Sequence, residues 1–143
     1  MTSIFIDSGI FIALANKSDR DHESAINLVD KIRRGEFGQP YTSDYVFDET
    51  LTAALVRARR LEPAVNIGKV ILGSKDDGLL PLAKLLRVDQ QIFSKAWTDF
   101  ASGRHKHLSF TDYTILAQVT ELKIDGIASL DSGFDGLIKK RMF

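Results

Sequence analysis

Short apolar runs alternate along the chain with longer segments in which apolar residues recur at helical spacing. Ile4–Ile6 is a run of β-forming residues that ends at the polar group Asp7, Ser8 and Gly9, as is typical of a buried strand. Similar runs predict three further strands. The four predicted strands are Ile4–Ile6, Gln39–Thr42, Leu79–Val88 and Ile124–Ser129.

The segments between the strands carry apolar residues three and four positions apart, which predicts amphipathic helices. In Gln90–Ser102, the aromatic residues Phe93, Trp97 and Phe100 recur at such intervals, and we expect them in the core rather than stacked on nucleic-acid bases. The predicted helices are Gly9–Asn16, Asp21–Arg34, a segment from Ser43 or Asp44 to Arg60, Glu62–Ser74, Gln90–Ser102, Ser109–Leu122 and Ser132–Lys140.

The alternation of strands with helices predicts the fold class. Strands separated by helical segments form βαβ units, which build a parallel sheet with helices on both faces. We therefore expect an α/β protein with a mainly parallel central sheet. The length of 143 residues fits one domain, 1–143. In such open sheets, ligands bind at the carboxyl ends of the strands, so the polar residues found there are the first functional candidates.

Composition narrows the functional classes. The chain has 19 Lys and Arg against 19 Asp and Glu, and it has no cysteine. The lack of cysteine excludes disulfides, thiolate nucleophiles, zinc fingers and iron–sulfur clusters. The balanced charge excludes a polycation that coats nucleic acid non-specifically. The sequence has neither a stretch of about 20 apolar residues nor a basic leader before Ile4, so we expect a soluble protein of the cytoplasm.

Four carboxylates follow the predicted strands or lie in the helices after them. Asp7 comes directly after the first strand, and Asp131 comes two residues after the last. Asp112 lies in the first turn of the helix that begins near Ser109, and Glu49 lies about two turns into the helix after the second strand. Oxygen ligands of this kind bind Mg²⁺ or Mn²⁺, and a dense group of anions repels itself without a cation. If the four side chains meet in space, they predict a metal site.

Each of these acids, taken alone, has a structural alternative. Asp7 can cap a helix, Asp112 can complement a helix dipole, and Asp131 can belong to a turn. Glu49 can be a solvated residue on a helix surface, and a helical wheel does not choose between Glu49 and Asp48. The joint pattern, rather than any one acid, favours the metal site.

Four short segments, in this order, resemble the successive acidic motifs of PIN domains, and most closely those of the VapC-like ribonuclease toxins. The segments are Phe5-Ile6-Asp7-Ser8, Asp48-Glu49, Leu108-Ser109-Phe110-Thr111-Asp112 and Ser129-Leu130-Asp131-Ser132-Gly133-Phe134. The resemblance covers nearly the whole chain and implies a three-layer α/β/α sandwich. It also implies an endoribonuclease whose one or two Mg²⁺ or Mn²⁺ ions are held by Asp7, Glu49, Asp112 and Asp131. It is the resemblance, and not the periodicity, that selects Glu49 over Asp48.

Two positions depart from the family pattern. Gly9 stands where the family often has a polar residue, and Ser129 stands where it often has Thr. Ser129 keeps a hydroxyl, so Ser8, Thr111 and Ser129 are candidates to hydrogen-bond the acids or a phosphate. Asp135 is a further acid near the last motif, and is either a partner of the acidic group or a simple helix residue.

Contact with RNA has to come from local basic residues, because the net charge is zero. Arg57 follows Glu49 by eight residues, about two helical turns, and could reach a phosphate. Arg104–His107 is either an RNA-binding loop or a solvated one. Its two histidines, His105 and His107, are not expected to be metal ligands, because no cysteine or regular histidine pair accompanies them.

The resemblance implies two protein partners, an antitoxin that blocks the acidic site and a second copy of the chain. An antitoxin segment could place an Arg or Lys among the carboxylates. The helices Gly9–Asn16, Asp21–Arg34 and Glu49–Arg60 are expected to form its groove. The helix Glu62–Ser74 has more apolar residues, Ile71 among them, than one buried face needs, which suggests it as the dimer surface.

Other functions are compatible with parts of this pattern. A free-standing PIN nuclease of RNA maturation or decay would carry the same four acids. A non-catalytic binding module with a degenerate site need not retain them all. A flavodoxin-like phosphate receiver would need its acids after other strands and a Lys close after the last one.

Overall fold

The computed structural model of the chain describes residues 1–138 and 141–142. Its strands are β1 (Ser3–Ile6), β2 (Gln39–Ser43), β3 (Lys84–Leu86), β4 (Gly126–Ala128) and β5 (Arg141–Met142). Its helices are α1 (Ser8–Ala15), α2 (His22–Arg33), α3 (Asp44–Ala58), α4 (Glu62–Leu72), α5 (Gln90–Ala101) and α6 (Phe110–Leu122), with a 3₁₀ turn at Ser132–Phe134. Within the described residues, no helix is both long and apolar enough to cross a membrane.

The five strands form one parallel sheet in the order β3-β2-β1-β4-β5. β1 lies at the centre, where Phe5 pairs with Tyr41 of β2 and with Ile127 of β4. All four residues of β1 are buried, as expected for a strand that is covered on both faces. The chain leaves β1 toward β2 and returns later to the other side of β1. The strand order therefore reverses at β1 and β4, and their carboxyl ends border the crevice where open α/β sheets bind ligands.

Helices cover both faces of the sheet. Helices α1 to α4 pack against one another, and α5 packs against α6. Crossovers between parallel strands are right-handed, and the chain runs from β1 to β3 in one direction and from β3 to β4 in the other. The two helix groups therefore lie on opposite faces, and the predicted three-layer α/β/α sandwich is confirmed.

The strand predicted at Leu79–Val88 is wrong in its extent. Only Lys84–Leu86 forms β3. Leu79 instead exchanges two backbone hydrogen bonds with Ser74, which closes a turn after α4. Pro81 follows and has no backbone N–H to donate to a strand partner. Leu82 and Ala83 are buried in the core without strand pairing, whereas Leu80 is exposed.

The helix predicted at Ser132–Lys140 is also wrong. The structure has a single 3₁₀ turn at Ser132–Phe134. Gly136 then has a φ of +80°, a conformation that glycine adopts without steric cost and that no right-handed helix contains. The end of the predicted helix, Lys139 and Lys140, lies outside the described residues.

The aromatic residues of α5 are exposed rather than in the core, so this prediction is wrong as well. Phe93, Trp97 and Phe100 are 43%, 56% and 42% exposed. α5 buries Ile92 and Ala96 instead. Its main helical contact is with α6, and a single neighbouring helix covers one face only. The result is an exposed aromatic surface, defined here as Phe93, Trp97 and Phe100.

The apolar residues of α4 divide between core and surface. Ile67 and Ile71 are buried, whereas Val65 and Leu72 are exposed. Ile71 has no exposed area at all, so it cannot belong to a dimer surface as the sequence suggested. A charge at this position would disrupt the core instead of an interface.

Candidate active site

An open pocket of about 480 Å³ lies at the carboxyl edge of the sheet, where β1 and β4 end. It is bordered by the start of α1, the first half of α3, the first turn of α6 with the loop before it, and the loop after β4. The lining residues of this acidic pocket are Asp7, Ser8, Gly9, Glu49, His107, Ser109, Asp112, Leu130 and Asp131. The structure thus brings all four candidate acids to one place.

Asp7 is the buried member of the group, with 6% of its surface exposed. One carboxylate oxygen accepts a hydrogen bond from the Ser8 backbone N–H at 2.7 Å, and the other accepts from the Ser129 hydroxyl at 2.7 Å. Burial raises the pKa of Asp7 to about 6, against the lowering effect of these two hydrogen bonds. The charges of Asp112 and Glu49 raise this pKa further. A carboxyl perturbed in this way in a cleft is a candidate for function.

Ser129 joins Asp7 to Asp131 at the end of β4. Besides donating to Asp7, the buried Ser129 hydroxyl accepts a hydrogen bond from the Asp131 backbone N–H at 3.0 Å. The Asp131 carboxylate accepts in turn from the Gly133 backbone N–H at 2.8 Å and caps the 3₁₀ turn. Ser129 therefore bonds one acid through its side chain and positions the backbone of a second.

Asp112 is both a helix-capping residue and a lining residue of the acidic pocket. Its carboxylate accepts from the Ser109 backbone N–H at 3.0 Å, and its own N–H donates to the Ser109 hydroxyl at 3.1 Å. This reciprocal pair is a capping box at the start of α6. Burial raises the pKa of Asp112, the hydrogen bonds from Ser109 lower it, and the charges of Asp131 and Glu49 raise it. Asp112 therefore caps α6, and its side chain still lines the pocket.

Glu49 lines the acidic pocket from α3, whereas the neighbouring acids Asp48 and Asp44 do not. The Glu49 side chain is exposed, and its charge raises the pKa of two of the other pocket acids. Asp44 has a structural task instead, because its carboxylate accepts from the backbone N–H groups of Tyr45 and Val88. These bonds tie the start of α3 to the segment after β3.

The donor set of the pocket suits a hard divalent cation. All four acids offer oxygen, the ligand atom that Mg²⁺ and Mn²⁺ prefer. A cation would also offset the burial and mutual repulsion that raise the pKa of Asp7 and Asp112. Among the described residues, no group of three acidic or histidine side chains is arranged to coordinate one metal ion. The carboxylates of the three aspartates each accept hydrogen bonds from the protein.

Three residues suggested as neighbours of the acids do not line the pocket: Arg57, Thr111 and Asp135. Arg57 forms an ion pair with Asp19 at 3.1 Å in a different groove. Thr111 uses its carbonyl oxygen to accept from the Thr114 hydroxyl at 2.6 Å. Asp135 follows the 3₁₀ turn at its C-terminal end. Helical spacing gave the distance of Arg57 along α3, but it did not show that another loop would supply its partner.

His107 lines the acidic pocket although the sequence assigned it no task there. Its Nε2 atom lies 3.4 Å from the Gly133 carbonyl oxygen, across the loop after β4. The only signal in the sequence was that His107 lies five residues before Asp112. His105 differs, because its ring packs against the Tyr113 ring at a centroid distance of 6.0 Å and does not line the pocket.

A second groove, of about 690 Å³, runs between α1, α3 and α4. The sequence predicted α2 as one wall, but α2 contributes only His22, and α4 supplies the wall instead. This helical groove starts one turn along α1 from the acidic pocket, because Gly9 lines the pocket and Ile12 lines the groove. Apolar side chains line it together with four basic ones, Lys17, His22, Arg57 and Arg60, and with the acid Glu62.

Comparison with known proteins gives three consistent matches. The family model of the PIN domain matches residues 4–140. A VapC ribonuclease of Archaeoglobus fulgidus is 30% identical over 130 residues, which cover 90% of this chain and 77% of that protein. The crystal structure of Mycobacterium tuberculosis VapC20, a sarcin–ricin-loop-cleaving toxin, superposes with a TM-score of 0.76 at 23% identity. That similarity spans 95% of this chain and 97% of the toxin chain, and it concerns the fold.

Proposed function

Because the chain belongs to the PIN domain family, and within it to the VapC ribonucleases, we propose that it is a metal-dependent endoribonuclease and the toxin of a toxin–antitoxin pair. The observation that carries this proposal is the convergence of Asp7, Glu49, Asp112 and Asp131 on one pocket. The proposed substrate is RNA, and the proposed place of action is the cytoplasm.

The four acids are the proposed ligands of one or two Mg²⁺ or Mn²⁺ ions. A divalent ion, when bound, supplies hydroxide from water near neutral pH and offsets charge on the scissile phosphate. Asp7, Glu49 and Asp112 hold the first ion in this proposal, and Asp131 helps to hold it or a second one. Ser129 favours the ionised form of Asp7 by donating to it, and Ser109 orients Asp112.

An antitoxin segment in the helical groove is well placed to block the acidic pocket. The groove and the pocket are one helical turn apart along α1. A segment seated on the apolar floor of the groove could therefore extend an Arg or Lys to the carboxylates. Lys17 would complement an acidic side chain elsewhere on that segment, whereas Arg57 and Arg60 are paired with Asp19 and Glu62 of the same chain.

The second copy of the chain is proposed to pack on the exposed aromatic surface of α5 and not on α4. Aromatic residues are enriched at the centres of protein interfaces, and three of them are exposed together here. Trp97 and Phe100 also stack on each other at a centroid distance of 6.3 Å, so the surface is preformed. In α4, by contrast, the residues with the strongest apolar character are already in the core.

The first test is a Mn²⁺ titration by calorimetry, which needs no knowledge of the RNA target. We expect saturable binding to the wild type that Asp112→Asn weakens at least about tenfold, since the variant loses a charged ligand. Asp48→Asn is the matched control, because Asp48 lies beside Glu49 but outside the pocket. Absence of binding to correctly folded wild type, or equal binding by Asp112→Asn, would contradict the proposal.

The second test is digestion of total RNA with Mn²⁺, followed by sequencing of RNA ends. We expect cuts at discrete sites that leave a 5′ phosphate, and we expect Asp112→Asn to abolish them. Cuts that persist in Asp112→Asn would point to a contaminating nuclease and would count against this site.

A further inference from the structure

Among the residues that the structure describes, a single basic side chain lines the acidic pocket. Of its lining residues, four are acids, two are serines, and only His107 combines a ring N–H donor with the capacity for positive charge. RNA presents a phosphate, which is an anion, to a pocket whose other charged lining groups are all negative. A group that attracts the phosphate directly is therefore of use in this pocket even when a cation is bound.

The position of His107 depends on a glycine in the loop after β4. A Cβ atom at Gly133 would lie 2.9 Å from Leu108 Cδ2, 3.1 Å from Asp131 Oδ1 and 3.2 Å from His107 Cδ2. Only the missing side chain lets the histidine ring and the Asp131 carboxylate approach the same backbone atom. His107 is therefore packed into the wall of the acidic pocket next to one of the four acids.

The contact that His107 makes inside the protein is weak. Its Nε2 atom lies 3.4 Å from the Gly133 carbonyl oxygen, beyond the usual range of an N–H···O hydrogen bond. The His107 residue as a whole is exposed. The ring can therefore turn a nitrogen toward a bound ligand without breaking a strong bond.

From this geometry we propose that His107 is a substrate-binding residue, which donates a hydrogen bond from its imidazole to a backbone phosphate of RNA seated over the acids. This assignment rests on the proposed ribonuclease function. In this arrangement the four acids hold the ion, and the role of His107 is separate from theirs. Its effect is on the RNA and not on the ion.

The test compares His107→Ala, His107→Gln and His105→Ala in two assays. The first assay measures the Mn²⁺ affinity by calorimetry. The second measures, by fluorescence anisotropy, the binding of a short 2′-O-methyl RNA of randomised sequence in the presence of Ca²⁺. His105→Ala is the matched control, because His105 is in the same loop but its ring packs on Tyr113 outside the pocket.

We expect His107→Ala to weaken RNA binding about 10- to 100-fold, the value of one charge-assisted hydrogen bond. His107→Gln, which keeps a side-chain N–H donor, should recover part of this loss. Mn²⁺ affinity should be unchanged in both, and His105→Ala should bind both ligands as the wild type does. Equal RNA binding by His107→Ala and wild type would overturn the proposal, and so would a loss of Mn²⁺ affinity in His107→Ala, which would make the residue a metal ligand.

A cleavage assay separates this inference from the proposed function. If the wild type binds the modified RNA through His107 but cuts no natural RNA, the proposed nuclease activity fails and the assignment of His107 stands. If the wild type cuts RNA and His107→Ala cuts it with the same KM and kcat, the assignment of His107 fails and the nuclease activity stands.

Discussion

The Ser129 hydroxyl donates a 2.7 Å hydrogen bond to the Asp7 carboxylate, across the ends of two adjacent parallel strands. Both residues are buried, and they are 122 positions apart in the chain. The bond favours the ionised form of Asp7 in surroundings that otherwise disfavour it. It therefore connects the packing of β1 and β4 to the protonation of an acid in the pocket.

Ser129→Ala should weaken Mn²⁺ binding more at pH 6 than at pH 8. Loss of the hydroxyl removes a hydrogen bond that lowers the pKa of Asp7, so this pKa rises above its present value of about 6. At pH 6 a larger fraction of Asp7 is then protonated and unable to bind a cation, whereas at pH 8 the two proteins differ less in the ionisation of Asp7. The measurement is a calorimetric Mn²⁺ titration at the two pH values.

The control for this prediction is Ser129→Thr, which keeps the hydroxyl. It should preserve the difference between the two pH values seen in the wild type. An equal loss of affinity at pH 6 and pH 8 in Ser129→Ala would mean that the hydroxyl acts on geometry alone.

Asp7→Asn should stabilise the metal-free protein at pH 7.5. The pKa of Asp7 is about 6 in the folded protein against its ordinary value of 3.8, so between these values the folded state binds more protons than the unfolded state. The free energy of unfolding of the wild type therefore falls as pH rises through this window. The raised pKa corresponds to a destabilisation of the folded protein by at most about 3 kcal/mol when Asp7 is ionised. We expect Asp7→Asn to raise the free energy of unfolding at pH 7.5 by about 1–3 kcal/mol.

Urea denaturation with EDTA at pH 4 and pH 7.5 checks this prediction. The advantage of Asp7→Asn should shrink toward pH 4, where the folded wild type carries the proton. Asp48→Asn, at an exposed acid outside the pocket, should change stability little at either pH. If Asp7→Asn is less stable than the wild type at pH 7.5, the buried charge of Asp7 does not lower the free energy of unfolding more than the lost hydrogen bonds of the variant do.

Thr50→Val should raise the free energy of unfolding by about 1 kcal/mol. Thr50 is fully buried, and in the part of the chain that the structure describes its hydroxyl has no hydrogen-bond partner. Valine has the same shape and no group that needs hydration. Thr114→Val is the contrasting variant, because the equally buried Thr114 hydroxyl donates to the Thr111 carbonyl oxygen at 2.6 Å.

Urea denaturation of the two threonine variants should move them in opposite directions, Thr50→Val upward and Thr114→Val downward. A loss of stability in Thr50→Val similar to that in Thr114→Val would mean that the Thr50 hydroxyl has a partner, such as water, in solution.

Trp97→Glu should convert the proposed homodimer into a monomer. Dimerisation would bury the new carboxylate without an opposite charge beside it, which is costly in free energy. Association of the two copies should therefore weaken strongly. Light scattering coupled to size-exclusion chromatography measures the mass. Leu80→Glu is the control, since Leu80 is 79% exposed on the segment between α4 and β3. A wild-type monomer, or a dimer that Leu80→Glu breaks and Trp97→Glu does not, would contradict the location of the interface.

Local pattern predicted most of the elements and the order of the acids. The alternation of short apolar runs with amphipathic segments is a local property, and it was sufficient for the parallel sheet and its two helix layers. It failed at Leu79–Val88 and at Ser132–Lys140, where a turn closed by backbone hydrogen bonds and a glycine with positive φ decide the conformation. Apolar spacing does not record whether the backbone pairs as a strand, nor whether a neighbouring element covers every apolar side chain.

The sequence by itself determined the candidate acids: carboxylates placed after strands or in the helices that follow them, with the family resemblance selecting Glu49 over Asp48. Only the tertiary structure decided which neighbours those carboxylates have. It placed Ser129 and His107 at the acidic pocket and paired Arg57 with Asp19 elsewhere. It also left the aromatic residues of α5 exposed. Spacing along one helix or strand fixes a residue's position on that element, whereas its partners come from segments far away in the chain that only folding brings close.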